Sequence, residues 1–211
     1  MPKKKLHILI TAGGTREYID PVRFISNASS GRMGYALAQA AVKAGCRVTL
    51  ITAPTALTPP KGVTVVAVET SDQMFAAVKA AFDACDGLIM AAAVSDYRPE
   101  KTSRRKLKKQ AAELVLRLKP TRDILAWAGR HKQPHQRLVG FALEDRDLFA
   151  NAEQKLKKKN LDMIVANAPS AIGAANSTLY VKTQDGDWQT LKNLSKSRSA
   201  IRLMDIFERL F

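Results

Sequence analysis

The sequence has few cysteines, few aromatic residues and few acidic residues for its length. Its 211 residues include 2 cysteines, 6% aromatic residues, and 19 Asp and Glu against 34 Lys and Arg. Cys46 and Cys85 lie in apolar stretches without disulfide or metal-binding spacing, which predicts two core thiols and a reducing cytoplasm. No apolar run approaches the roughly 20 residues of a membrane span. The stretch MPKKKLHILITAGG turns directly into Gly-Gly, which indicates a first strand and not a signal peptide.

The shortage of acidic residues leaves a net charge of +15, which favours an anionic partner. The basic residues gather at 101–109, 155–159 and 192–202. A nucleic-acid-binding module and a site for a small anionic substrate both fit this pattern, although no zinc-finger spacing or aromatic-rich RNA-binding strand is present. The fingerprint G-x-G-x-x-G, a Tyr-x-x-x-Lys pair and the P-loop are also missing, which argues against a Rossmann-type oxidoreductase and a P-loop site.

Apolar runs and helical periodicities alternate along the chain, which predicts an α/β fold. The predicted strands are 6–11, 47–52, 63–68, 87–94, 113–118, 137–144 and 161–167. The predicted helices are 31–44, 72–85 (capped by Ser71), 122–131, 147–159 and 195–211. Continuous apolar strands indicate burial on both faces, hence a three-layer, Rossmann-like, mostly parallel sheet flanked by helices. Asp185-Gly186 predicts a C-terminal β-hairpin, and we expect a single domain over 1–211.

Glycine and serine residues follow the first predicted strand, where open α/β sheets bind ligands. Gly13 and Gly14 allow backbone N–H groups to approach an anion, or they form a simple tight turn. Ser29 or Ser30 caps the next helix, whose remaining N–H donors and dipole suit an anion. Asn27 lies between these two places, and its uncharged amide suits a carboxylate or a reacting acyl-phosphate.

A second group of polar residues follows the apolar run ending in AAAVSDYRP. Asp96 either caps the next turn or contacts a nucleotide sugar or a hydrated metal ion. The polar, basic segment 98–112 comes directly after it, and we expect a mobile loop. This loop is either solvated or a lid over phosphates.

Six stretches together resemble one known family. They are ITAGGTREYIDPVRFISNASSGRMGYALA, AAAVSDYRP, KLKKQ, LVGFALE, KKKNLDMIVAN and SKSRSAIRLMDIF. In this order they resemble phosphopantothenoylcysteine synthetase, the phosphopantothenate–cysteine ligase of coenzyme A synthesis, from about residue 6 to the end. The resemblance implies a cytoplasmic homodimer that joins 4′-phosphopantothenate and L-cysteine. It uses CTP, forms an acyl-cytidylate, and releases CMP and pyrophosphate, with Mg²⁺ acting mainly through the triphosphate.

The resemblance also assigns roles to individual residues. Asn27 matches the residue that holds the acyl-cytidylate, Arg23 matches an arginine of the same stage, and Lys106 is assigned to catalysis and to the nucleotide. The other positions that match the nucleotide site of the family are Ala92, Ala93, Asp96, Asp123, Ile124, Phe141, Lys155 and Lys159. The anion sites predicted above add Gly13, Gly14, Ser29, Ser30 and Gly31 to the predicted nucleotide-binding residues. Backbone groups at Ala92 and Ala93 are expected to read the base. The metal ligands stay unassigned.

Two features depart from the family pattern. The chain starts at the synthetase strand, so we expect no flavin-dependent decarboxylase activity. Arg122 stands where the family has a proline, which changes a loop expected to contact the nucleotide. A catalytically silent homologue and a basic nucleic-acid-binding module are the alternative functions. A steep fall of affinity with salt, without CTP-dependent turnover, would distinguish the module.

Overall fold

The structure is a computed structural model that describes residues 5–109 and 113–211, so parts of the predicted domain (1–4) and of the predicted loop (110–112) lie outside the described residues. Its strands are β1 (His7–Ala12), β2 (Arg16–Tyr18), β3 (Phe24–Ser26), β4 (Arg47–Thr52), β5 (Val63–Ala67), β6 (Gly87–Met90), β7 (Tyr97–Pro99), β8 (Leu118–Pro120), β9 (Arg137–Leu143), β10 (Met163–Asn167), β11 (Asn176–Thr183) and β12 (Gln189–Ser195). Its helices are α1 (Arg32–Lys43), α2 (Ser71–Phe82), α3 (Ile124–His131), α4 (Leu148–Lys158) and α5 (Lys196–Glu208), with a 3₁₀ turn at Pro169–Ala171.

Eight strands form one sheet in the order β12-β11-β10-β9-β6-β1-β4-β5. The six strands from β10 to β5 run parallel, and β11 and β12 add an antiparallel hairpin at the β10 edge. All six residues of β1 are buried, as expected for a central strand covered on both faces. The predicted mostly parallel sheet and C-terminal hairpin are confirmed.

Helices cover both faces of this sheet and divide the core in two. Ile8 and Ile10 of β1 pack on the face covered by α1 and α5. Leu9 points to the opposite face, which α2, α3 and α4 cover. Each such apolar side chain contributes about 1.5–3 kcal/mol when it is fully buried. The three-layer arrangement follows directly from this alternation, and it places α1 and α4 on opposite faces of the sheet.

Both cysteines are free, buried thiols, as the sequence predicts. Burial, and then the charge of Asp86, raise the pKa of Cys85 to about 12. An unfolded thiol ionises near pH 8.5, so above that pH the unfolded chain loses a proton that the folded chain keeps. Folding stability should therefore fall as the pH rises, by up to about 1.4 kcal/mol per pH unit.

Urea unfolding between about pH 8 and pH 11 measures this effect, with Cys85→Ala as the control because it has no thiol to ionise. The wild-type slope against pH should exceed the slope of the variant. The native protein should also resist alkylation until it unfolds. Equal slopes, or rapid alkylation of the native Cys85, would contradict the prediction.

Two short hairpins beside the main sheet are absent from the sequence prediction. β2 pairs with β3, and β7 pairs with β8. The predicted strand 113–118 is wrong, because only Leu118 of that range joins β8. Leu114 and Val115 are 60% and 78% exposed, so their alternation does not mark a half-buried strand. A strand needs a partner strand, and the partner here, β7, is only 3 residues long. It therefore pairs with only the 3 residues of β8.

Several other boundaries differ from the prediction by a few residues. The strand predicted over 87–94 ends at Met90, because the small apolar residues that follow leave the sheet and form a cleft wall. Helix α2 ends at Phe82, and Thr70, not Ser71, caps it in a capping box with Gln73.

Within the part of the chain that the structure describes, no helix is long and apolar enough to cross a membrane.

Candidate active site

A cleft of about 690 Å³ opens at the carboxyl ends of β6, β9 and β10. The segment that leads into α1, the segment after β6 and the start of α3 form its walls. Of the predicted site residues, those that line it are Asn27, Ser29, Ser30, Gly31, Ala92, Ala93, Asp96, Asp123, Ile124, Phe141, Lys155 and Lys159. Parallel α/β sheets bind ligands at this edge, so the topology brings these separate segments to one place.

The Asn27 amide connects the loop before α1 to the segment after β6. Its Nδ2 donates to the carbonyl oxygens of Val94, at 3.1 Å, and Ala93, at 3.4 Å. Among the described residues, none donates a hydrogen bond to its Oδ1. The donor half of the amide therefore holds the loop in place, and the acceptor half is the part left for a ligand.

Gly13 and Gly14 do not line the cleft, although the sequence predicts that they bind the nucleotide. Gly13 has a φ of +80°, and a Cβ there would lie 2.8 Å from the Ala53 carbonyl oxygen. A Cβ on Gly14 would lie 2.8 Å from the carbonyl oxygen of Asn27. Gly14 thus lets the Asn27 loop approach the end of β1, and Gly13 lets the segment after β4 approach it. The predicted contact of both glycines with the nucleotide stays a prediction.

The predicted serine cap of α1 is wrong. The N-cap is Gly31, whose φ is +74°, and no side chain caps the helix. Ser29 Oγ accepts only from the backbone N–H of Gly31, at 3.4 Å. The first N–H groups of α1 are thus left without a side-chain acceptor beside the cleft, which strengthens the case for an anion there.

Two lysines of α4 and its C-cap supply positive charge to the other wall. Lys155 Nζ donates to the Phe141 carbonyl oxygen at 2.5 Å, and burial, followed by repulsion from Lys159, lowers the pKa of Lys155. Lys159 lies 2.9 Å from Asp123. Burial favours protonated Asp123, but hydrogen bonds from Lys159 and from the Ala126 N–H lower the pKa of Asp123 overall. The Asp123 carboxylate also caps α3 and so fixes the start of that helix.

Backbone donors at the end of β6 are already used inside the protein. The Ala92 N–H donates to Thr11 Oγ1 at 3.1 Å, and the Ala93 N–H donates to the Gly13 carbonyl at 2.8 Å. The Ala93 carbonyl also accepts from the Thr15 N–H at 3.3 Å and from Asn27 Nδ2 at 3.4 Å. The expectation that these residues read a base therefore rests mainly on the Ala92 carbonyl. Asp96 is exposed at the rim, and its carbonyl accepts from the Thr121 N–H at 2.8 Å, which ties the rim to the segment before α3.

Arg23 and Lys106 lie outside the lining of this cleft. The Arg23 guanidinium is 2.5 Å from the Asp20 carboxylate and donates to the Leu107 carbonyl at 2.8 Å. The hydrogen bond from Arg23 holds the pKa of Asp20 well below its usual range. Leu107 also donates its N–H to Asp20 at 3.1 Å. The structure therefore joins Arg23 to the basic loop that carries Lys106, and the predicted mobility of that loop stays a prediction.

The sequence assigns no role to three basic residues of the lining, which are Arg32, Arg122 and Lys196. Arg122 departs from the family pattern, and its guanidinium lies 5.0 Å from the centre of the Phe75 ring. Lys196 begins α5 and also lines the cleft. The only signal for Lys196 is its place in the basic stretch 192–202, which a solvated surface would share. Among the described residues, no group of three or more His, Cys, Asp or Glu is placed to hold a metal ion.

An open, mostly parallel sheet with a lysine-lined cleft at its carboxyl edge defines an α/β protein whose cleft is suited to a small anionic ligand. A family model described as the DNA/pantothenate metabolism flavoprotein C-terminal domain matches residues 3–210. The chain belongs to this family, and the resemblance predicted from the sequence is confirmed.

Individual relatives agree with this family. The chain is 45% identical over 200 residues to the coenzyme A biosynthesis bifunctional protein CoaBC of Bacillus subtilis strain 168, covering 92% of this chain and 49% of that protein. It is 49% identical over 174 residues to a cysteine/cysteine sulfinic acid decarboxylase of an unknown prokaryotic organism, covering 82% of this chain and 48% of that protein. The chain thus spans about half the length of the curated relatives it matches.

A solved structure shows the same fold over nearly the whole chain. The crystal structure of the C-terminal domain of CoaBC superposes with a TM-score of 0.85 and 40% identity, covering 98% of this chain and 95% of that one. The part of CoaBC that this chain resembles is therefore its C-terminal domain.

Proposed function

We propose that this chain is a phosphopantothenate–cysteine ligase of coenzyme A biosynthesis that uses CTP. The relationship to the C-terminal domain of CoaBC supports the ligase assignment. The observation that carries it is the cleft itself, which places Asn27, the start of α1 and Lys155 around one space. We further propose a cytoplasmic location and a single ligase domain over 1–211.

The proposed reaction has two steps. A carboxylate oxygen of 4′-phosphopantothenate attacks the α-phosphorus of CTP, and pyrophosphate leaves with the electrons of the broken P–O bond. The amine of L-cysteine then attacks the acyl carbon, loses a proton, and displaces CMP. Both steps move negative charge between oxygen atoms, so positioned cations and N–H groups supply most of the catalysis.

The cleft residues divide this work according to their places. Lys155 and Lys159 face the triphosphate as point charges. When the nucleotide binds, Lys159 gives up part of its ion pair with Asp123 and donates to a phosphate oxygen. The uncapped N–H groups after Gly31 take a second anionic group. Asn27, held at Val94, presents its amide beside the acyl group. Arg122 stands at the edge, where its guanidinium is free to move from the Phe75 ring to the nucleotide.

Mg²⁺ is proposed as the cofactor that neutralises the triphosphate. The donor set fits, because Mg²⁺ keeps several waters and binds proteins through one or two carboxylates together with substrate phosphates. Asp96, exposed at the rim of the cleft, is the carboxylate that would hold the hydrated ion.

We also propose a homodimer. The two short hairpins and the segment beside them expose a group of apolar side chains, which we call the hairpin patch: Val22 (57%), Phe24 (40%), Tyr97 (57%), Leu114 (60%), Val115 (78%) and Leu118 (45%). Apolar groups of this size commonly mark contact surfaces. Arg23 lies in the same hairpin and outside its own cleft, so a second copy would bring it to the cleft of its partner.

Charge in the hairpin patch tests the dimer. Phe24→Glu is expected to convert a dimer into monomers, since it buries an unpaired carboxylate in the interface. Analytical ultracentrifugation at a protein concentration of about 10 μM measures the change, because a dimer with a dissociation constant of about 1 μM is mostly associated at that concentration. Phe149→Glu, at a similarly exposed phenylalanine on α4, is the control. A wild-type monomer, or an unchanged dimer in the Phe24→Glu variant, would refute the proposed interface.

Pyrophosphate release tests the ligase function. The purified protein is incubated with 4′-phosphopantothenate, Mg²⁺ and each of the four nucleoside triphosphates, with and without L-cysteine. We expect pyrophosphate only with CTP, and mass spectrometry should detect phosphopantothenoylcysteine only when cysteine is present. Turnover with ATP would show that CTP is not the preferred nucleotide. If no nucleotide gives pyrophosphate, the proposed ligase function is wrong, and the catalytically silent homologue and the nucleic-acid-binding module are the remaining alternatives.

A further inference from the structure

Lys196 lies at the junction between the C-terminal hairpin and helix α5. Ser195 is both the last residue of β12 and the N-cap of α5, and Lys196 is the first residue of that helix. Its side chain lines the cleft together with Ala171 and Leu179. Helix α5 packs on the same face of the sheet as α1, whereas α4, which carries Lys155, packs on the other face. The cleft therefore has a basic group on each side of the sheet edge.

The ammonium of Lys196 has only neutral protein partners. It donates to Ser177 Oγ at 2.9 Å and to the Ala171 carbonyl at 3.2 Å. An ammonium has three N–H donors, so one remains. Within residues 5–109 and 113–211, no carboxylate forms an ion pair with it, whereas Lys132 and Lys159 each have one. Burial lowers the pKa of Lys196, because the ammonium is partly removed from water and has no counter-ion in the described part of the protein.

The two protein acceptors do not require a cation. A neutral amide would donate to a hydroxyl and to a carbonyl without the desolvation cost of a charge. A half-buried ammonium that faces a cleft without a carboxylate is instead suited to an anionic group brought by a ligand. The bonds to Ala171 and Ser177 then hold the ammonium in position.

We infer that Lys196 binds the terminal oxyanion of a substrate other than the nucleotide. This inference rests on the proposed function, which gives two sources for that oxyanion: the phosphate of 4′-phosphopantothenate and the carboxylate of L-cysteine. Lys155 and Lys159, on the opposite face, are left for the nucleotide phosphates. Lys196 is thus a specificity residue, which favours a substrate that carries its negative charge at this end of the cleft.

The test compares each substrate with an analogue that lacks the oxyanion. Dissociation constants are measured by calorimetry for 4′-phosphopantothenate and pantothenate, and KM values for L-cysteine and cysteamine. Lys196→Gln keeps a donor for the two protein acceptors and removes the charge. Lys192→Gln, at an exposed lysine of β12, is the matched control, and Lys196→Arg restores a cation.

We expect Lys196→Gln to weaken one charged substrate by about 10- to 100-fold, the range for a hydrogen bond to a charged group. The analogue without the oxyanion should change less than about twofold, which is below the cost of such a bond. An effect confined to 4′-phosphopantothenate identifies the phosphate, and one confined to L-cysteine identifies the carboxylate. Lys196→Arg should recover most of the loss, and Lys192→Gln should behave as the wild type.

Three results would overturn the inference. Equal weakening of a substrate and its analogue would show that Lys196 only holds the segment after β10. An effect on CTP alone would assign it to the nucleotide, and no effect in a folded variant would remove it from the site. A wild-type protein that binds 4′-phosphopantothenate and forms product keeps the proposed function even when the inference fails. A wild type that does neither overturns both.

Discussion

Asn27→Asp is expected to slow amide formation by about 10²- to 10³-fold, the cost of losing an oriented polar group at a reacting centre. The Asn27 Nδ2 donates to the Val94 and Ala93 carbonyls. A carboxylate cannot donate there, so the aspartate would face two carbonyl oxygens and would move its loop. It would also add negative charge beside an anionic intermediate.

The fold should survive this substitution, because Asn27 is exposed and precedes α1. Asn27→Ala should lose less activity, since it removes the donor without adding charge. Asn193→Asp, at an exposed residue of β12, is the control and should keep the wild-type rate. Quenched-flow measurements separate pyrophosphate release from amide formation. A folded Asn27→Asp variant with the wild-type rate would reduce Asn27 to a loop residue, and a loss confined to cysteine transfer would place it in the second step only.

The parallel sheet is the part of the fold that the sequence predicts best. Strands such as β1 and β6 are buried along their whole length because helices cover both faces, so their apolar signal does not depend on a distant partner. Segment 113–118 shows the opposite case. Its alternation would indicate a half-buried strand, but most of it finds neither a core nor a partner strand. Local pattern alone does not decide such a segment, because pairing does.

The site is predictable where topology determines it. Asp96, Asp123 and Lys155 follow different elements, and the common carboxyl edge of the sheet brings them to one cleft. Two details depend on backbone geometry that residue types do not reveal. A left-handed glycine at position 31 replaces the expected serine cap. The close packing at Gly14 against the Asn27 carbonyl oxygen is the second.

Lys196 was missed for a related reason. In the sequence it is one of several basic residues at the start of a helix, and such residues are usually solvated. Only the tertiary structure shows that β12 and α5 place it beside Ala171, within the cleft. Arg23 is the reverse case, because it belongs to a specific motif of the sequence but lies outside the cleft of its own chain, and its predicted role stays a prediction.

Gly129→Ala is expected to lower the free energy of unfolding by about 3 kcal/mol, at the upper end of the usual cost of overpacking. Gly129 is buried in α3, and a Cβ there would lie 1.9 Å from the carbonyl oxygen of Lys159, the C-cap of α4. Backbone lies on both sides of this contact, so no side-chain rotation relieves it. Helix propensity alone predicts the opposite sign, a gain of about 0.5–1 kcal/mol when glycine becomes alanine.

The same substitution should affect the site, because α3 and α4 must separate to admit the methyl group. Asn160 Nδ2 donates to the Gly129 carbonyl at 3.0 Å, and Lys159 pairs with Asp123, so both links lie on the shifted elements. We expect the melting temperature to fall by about 6–12 °C and the affinity for CTP to fall about tenfold, as for the partial loss of one charged contact.

Gly45→Ala is the control, since a Cβ at Gly45 has no atom within 4 Å and meets only the strain of a φ of +88°. It should cost about 1 kcal/mol and leave the affinity for CTP unchanged. Thermal unfolding and calorimetric titration of both variants measure the two effects. If the Gly129→Ala variant is as stable as the Gly45→Ala variant, the contact between α3 and α4 is looser than the structure shows. If it is unstable but binds CTP normally, Lys159 keeps its place independently of the packing beside it.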